Sequence, residues 1–122
     1  MDTSKSTETE TDYIAGASIF SGRPDPTWTV SLEIVERLQS LWVSLPPLDA
    51  SPPQPPALGY RGCFLRDKAK QREWVAYKGA VTLQTPSESE TRRDAQREFE
   101  PLLLHSAPAG LIPPQILQSE GL

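Results

Sequence analysis

The chain reads as a small α+β domain: a mixed three-stranded sheet in the order 1-3-2 with two helices on one face. Three observations predict it. A charge-free apolar run, Y-I-A-G-A-S-I-F at 13–20, fits a strand buried on both faces. Residues 31–45, S-L-E-I-V-E-R-L-Q-S-L-W-V-S-L, repeat apolar side chains at helical spacing. Finally, L-G-Y-R-G-C-F-L-R and E-W-V-A-Y-K-G-A-V-T-L flank the charged turn D-K-A-K-Q-R, the pattern of an antiparallel hairpin.

The first strand ends at Ser21-Gly22 and Pro24, and its Ala and Gly residues predict close packing of a neighbour. In the helix, Ser31 or Thr29 supplies the N-cap and Glu33 and Glu36 suit the positive end of the dipole. Ile34, Leu38, Leu41 and Leu45 form a stripe flanked by Val35 and Trp42, and Pro46-Pro47 stops the helix. Six prolines between Pro46 and Pro56 then impose an extended, polyproline-like path. Its two overlapping P-x-x-P repeats carry no basic residue to orient docking in an aromatic groove, so a linker is the expectation.

Period-2 spacing in the second strand of the hairpin puts Val75, Tyr77, Val81 and Leu83 on one face and Trp74, Lys78 and Thr82 on the wetter one. The stretch Ser87-Glu88-Ser89-Glu90 has capping-box form ahead of Ala95, Phe99, Leu102 and Leu103, predicting a helix over about 88–99 that Pro101 breaks. The order is then β-α-β-β-α. A right-handed crossover through the first helix makes the first two strands parallel, with the third inserted antiparallel between them.

One domain is expected over 13–105, with the 46–57 linker inside it, a disordered acidic tail at 1–12 and an irregular tail at 106–122. Net charge is −3 over 1–12, +2 over 13–84 and −3 over 85–122, summing to −4. This balance argues against nucleic acid and anionic membranes as general partners. No apolar run approaches the length of a membrane span, and the acidic N-terminus is neither a secretory signal nor a transit peptide, so a cytoplasmic or otherwise intracellular protein is expected.

Several chemistries find no support in the residues. Cys63 and His105 are each alone of their kind, which removes a disulfide within the chain and any Cys-based zinc cluster, and nothing in the sequence brings the two together. Neither G-x-G-x-x-G nor G-x-x-x-x-G-K-[ST] occurs, and no cofactor is predicted. Carboxylate pairs such as Glu33/Glu36 lie in helix first turns, where capping and dipole effects account for them.

Candidate binding residues come from two places. In F-S-G-R-P-D-P-T-W, two prolines hold Arg23, Asp25 and Trp28 on a stiff corner beside a strand end. Arg61 and Trp74 stand on the expected exposed face of the hairpin. The first reading is a non-catalytic module that binds an unidentified protein or peptide through these five residues. The second is a small enzyme or small-ligand-binding protein with a pocket near the 20–30 loop. The third is weak RNA binding through the 66–74 hairpin tip, where Arg66, Lys68, Lys70 and Arg72 cluster near Trp74 and Tyr60.

Overall fold

The computed structural model describes residues 12–20 and 24–122. Six strands, β1 (Tyr13–Ala17), β2 (Thr27–Thr29), β3 (Cys63–Asp67), β4 (Arg72–Tyr77), β5 (Ala80–Gln84) and β6 (Ser89–Arg93), form one sheet in the order β2-β1-β3-β4-β5-β6. Every neighbouring pair is antiparallel. Three helices accompany it: α1 (Leu32–Ser44), α2 (Phe99–Leu104) and α3 (Pro114–Glu120). The expected mixed three-stranded sheet of order 1-3-2 with two helices is therefore corrected to an antiparallel sheet of six strands with three short helices.

The correction has three physical sources. Thr27-Trp28-Thr29 is a strand of only three residues, with Trp28 buried between two exposed threonines, and it pairs with β1. The connection through α1 thus starts from β2, and it lands on the far side of β1 as β3. The parallel relation belongs to β2 and β3, with β1 antiparallel to both between them.

The second source is Lys78-Gly79, where φ values of 47° and 85° turn the chain through two residues and split the expected long strand into β4 and β5. That is the left-handed pair a two-residue hairpin needs. The turn also changes the face assignment: Ala76 pairs with Val81 and Trp74 with Leu83, so Trp74 stands on the core side and Val75 with Thr82 on the other. Trp74, expected on the wetter face, is 2% exposed.

The third source lies at 89–93, where a strand replaces the first part of the expected 88–99 helix. The Thr82 and Thr91 hydroxyls meet across the sheet at 2.8 Å, and the Arg92 guanidinium stacks 4.2 Å from the centroid of Trp42 while donating to the Trp42 carbonyl at 2.8 Å. Helical propensity yields to these partners. Asp94 then redirects the chain: its Oδ2 accepts from the backbone N–H of Glu98 and of Phe99 at 2.9 and 2.8 Å, and α2 begins with Pro101 in its first turn.

Helix α1 agrees closely with expectation, capped by Ser31 Oγ, which accepts from the Ile34 N–H at 3.3 Å. Its buried seam runs through Val35, Leu38 and Trp42, rotated slightly from the predicted stripe. The proline-rich stretch begins as an edge cover: Arg93 N–H donates to the Pro46 carbonyl and Leu48 N–H to the Thr91 carbonyl, with Pro47 bridged to Arg92. Residues 49–59 are exposed throughout. Beyond 105 the chain forms α3 and buries Ile112 in the core. No helix among the described residues is long and apolar enough to cross a membrane.

One core cluster holds the structure together. It contains Ala15, Trp28, Leu65, Trp74 and Val81 from the sheet, Val35, Leu38 and Trp42 from α1, and Phe99, Leu103 and Leu104 from α2. On the opposite sheet face the register aligns Thr27, Gly16, Phe64, Val75, Thr82 and Thr91 in one row across all six strands. The half-buried Ile14, Phe64 and Val75 on this open face do not join the core cluster.

Candidate functional site

Of the five candidate residues, Arg23 lies outside the described residues. The structure brings Asp25 and Arg61 together and sends Trp28 and Trp74 into the core. Asp25 Oδ1 accepts from the backbone N–H of Ile19 and of Phe20, both at 2.8 Å. Arg61 Nη2 donates to the Phe20 carbonyl at 2.8 Å and stands 3.9 Å from Asp25 Oδ1. The carboxylate and guanidinium thereby tie together the backbone groups of Ile19 and Phe20 just after β1. Trp28 is 6% exposed, and its Nε1 donates to Ser106 Oγ at 2.9 Å, tying β2 to the end of α2.

Trp74 serves the hairpin from below. The Arg72 guanidinium lies 4.7 Å from its ring centroid while donating to Asp67 Oδ2 at 2.8 Å and to the Tyr13 hydroxyl at 3.2 Å. Burial alone would raise the Asp67 pKa. The hydrogen bonds from Arg72, the Lys70 N–H and Tyr13 outweigh it and hold the carboxyl below its ordinary value. Asp67, 2% exposed, thus anchors the β3–β4 turn at its base.

Above that base the tip is open. A cleft of about 460 Å³ is lined by Arg66, Lys68, Arg72, Glu73, Gln84 and Pro86, among others. Arg66 pairs with Glu73 at 3.2 Å and stacks 4.8 Å from the Phe64 centroid. Lys68 and Lys70 are exposed and make no ion pair among the described residues, so the tip keeps two uncommitted positive charges. Arg66, Glu73 and Gln84 also belong to the open sheet face, in the row next to Phe64 and Val75. Cleft and face are therefore one continuous surface.

Phe64 has an internal role as well. Its ring lies over Gly16, where an added Cβ would come within 2.2 Å of it. The glycine is what lets the ring lie flat across β1, an arrangement that fills the gap a glycine leaves in a sheet.

Residues that sequence reasoning did not join form a buried polar network at the other end of the sheet. Glu100, 1% exposed, accepts from the Tyr60 hydroxyl, from the Lys78 N–H at 3.0 Å and from Arg97 Nη2 at 3.0 Å. Burial first, then the charges of Cys63 and Glu100, push the Tyr60 pKa far above its ordinary value. Burial and the nearby Glu100 charge likewise push the Cys63 thiol well up. Cys63 is fully buried, and a thiol held protonated in this way is a packing group, not a nucleophile. His105 turns elsewhere, its Nε2 lying 3.0 Å from the Leu122 carbonyl. The signal for this network was available only as Glu100 inside an apolar stretch, F-E-P-L-L-L, where a carboxylate must find partners.

The chain matches no protein-family model, no curated protein and no solved structure.

Proposed function

We propose that this protein is a non-catalytic interaction module that holds an extended, acidic peptide segment along the open sheet face, with the segment's carboxylates at the β3–β4 tip. The observation that carries this reading is the junction at Arg66 and Glu73, where the face bearing Ile14, Phe64 and Val75 meets a cleft lined by Lys68, which with Lys70 on the same turn makes no ion pair among the described residues. A half-apolar strip gives an extended chain something to bury, and Lys68 and Lys70 give it a charge preference. In this reading Asp25, Trp28, Arg61 and Trp74 act from beneath by holding the strands that present the surface.

The test is a titration of isotope-labelled protein with a Glu/Thr-alternating decapeptide, a Lys/Thr-alternating one and oligouridylate. The acidic peptide is expected to shift the amides of Ile14, Phe64, Val75 and Gln84, and the shifts are expected to vanish in the Lys68→Glu/Lys70→Glu variant. Shifts confined to other surfaces, or a response to oligouridylate alone that collapses with salt, would replace this reading.

A further inference from the structure

At the end of the sheet opposite the β3–β4 tip, the β4–β5 turn, the loop after β6 and the proline-rich strap border a cavity of about 380 Å³. Lys78 lines it from the β4–β5 turn and Arg93 and Arg97 from the end of β6 and the loop after it, together with Gly79, Asp94 and with Ser51 and Pro53 of the strap. We infer that this cavity is a binding site for the phosphoryl group of a phosphate monoester.

The charges around the cavity are unequally committed. Asp94, which also lines the cavity, spends its Oδ2 on the Glu98 and Phe99 N–H groups, and Glu100 is engaged by Tyr60, Lys78 N–H and Arg97. Asp49 pairs with Arg93 at 3.0 Å, but its side chain is 84% exposed, and such a pair yields readily to a competing anion. The Lys78 ammonium has no carboxylate partner among the described residues and rests 5.6 Å from the Tyr77 ring centroid. Arg97 places Nη2 on Glu100 and Nη1 on the Glu120 carbonyl at 3.3 Å, while its Nε is buried with no hydrogen-bond partner. Arg61 Nε and Trp74 Nε1 are likewise buried without a partner, so it is the convergence of Arg97 with Lys78 and Arg93, and not the orphaned donor by itself, that points to an anion here.

The backbone points to the same place. Lys78 and Arg97 have φ of 47° and 50°, a left-handed conformation that long side chains adopt rarely, and both line this cavity. A two-residue turn ordinarily takes asparagine before glycine. Lysine there forgoes asparagine's local hydrogen bonding and contributes a cation instead. Three cations converging from two segments suit a dianion with three equivalent acceptor oxygens better than a planar carboxylate. The apolar wall at Leu48, Ala50 and Pro53 leaves room for an organic group attached to it.

The experiment titrates labelled full-length protein with phenyl phosphate, inorganic phosphate and phenyl sulfate. Saturable shifts at Gly79, Ala80 and Arg97 are expected with the phosphates, with affinity reduced about tenfold by Lys78→Gln and again by Arg93→Gln. Neither substitution removes a buried ion pair, since Lys78 makes none among the described residues and keeps only its contact with the Tyr77 ring, and the Arg93 pair is exposed; an otherwise unchanged spectrum verifies that the fold is kept. Tighter binding of phenyl phosphate than of inorganic phosphate supports the monoester, and equal binding would overturn the monoester in favour of the free anion. Linear, unsaturated shifts, equal response to phenyl sulfate, or binding retained in the Lys78→Gln/Arg93→Gln double variant would overturn the assignment. The Lys68→Glu/Lys70→Glu variant is expected to bind phenyl phosphate as the parent does, which separates this site from the peptide-binding surface.

Discussion

Two polar, turn-forming regions of this molecule look alike in the sequence and behave oppositely in the structure. The corner at 24–28 carries prolines, an aspartate and a tryptophan, and its described polar groups turn inward: Asp25 holds two backbone N–H groups and Trp28 reaches Ser106. The β3–β4 tip carries only lysines, an alanine and a glutamine, yet Lys68 and Lys70 remain without ion pairs among the described residues. Conspicuous composition marks a place where the chain needs help to turn. Uncommitted chemistry stands where the strand ladder and the buried Asp67 beneath it fix the backbone, so the crest side chains are not needed for the turn.

The contrast can be broken most directly at Trp28. Trp28→Ala removes a buried ring and its bond to Ser106, and is expected to destabilise by about 3–5 kcal/mol in chemical denaturation. Asp25→Ala deprives two part-buried N–H groups of their acceptor and is expected to lower stability by about 1–3 kcal/mol, read from the same midpoint shift. A corner variant with parental stability at either position would contradict the inward reading.

At the tip, the base and the crest should separate. The Asp67 pKa is depressed in the folded state, so its contribution is present above the ordinary carboxylate pKa of about 4 and is lost as pH falls through and below it. Asp67→Asn should therefore be less stable than the parent at neutral pH, and the gap should narrow near pH 3 (roughly a unit below that ordinary value). Urea midpoints at the two pH values measure it. Gln71 has φ of 54°, so Gln71→Gly is expected to be neutral or to stabilise by up to about 1 kcal/mol. Lys68→Glu/Lys70→Glu should change stability by less than about 0.5 kcal/mol while abolishing acidic-peptide binding.

Much of the fold was legible residue by residue. The α1 helix announces itself through Ser31, its apolar spacing and Pro46, and the structure keeps all three. The β3–β4 hairpin follows from two apolar runs around a charged turn. Less legible was β2, because three residues give alternation too little length to register. Lys78-Gly79 lay hidden inside what reads as one strand, and missing it reversed the face of Trp74. The candidate site suffered from the same error: Val75 was assigned to the core and Trp74 to solvent, so the open face could not be recognised.

Local chemistry therefore determined, by itself, where α1 forms, where proline stops it, where the β3–β4 hairpin turns, and that Cys63 and His105 each stand alone. Those properties depend on neighbours within a few positions, through backbone sterics, capping and side-chain periodicity. Tertiary structure alone decided that 89–93 is a strand and that Arg61 joins the corner at Phe20 and Asp25. It also decided that the row from Thr27 to Thr91 is a single surface. Each of these depends on a partner distant in sequence: Thr82 and Trp42 for β6, Arg61 for the corner, and five successive strand pairings for the row. No local propensity encodes such a partner, because the free energy that selects it exists only once the two segments meet.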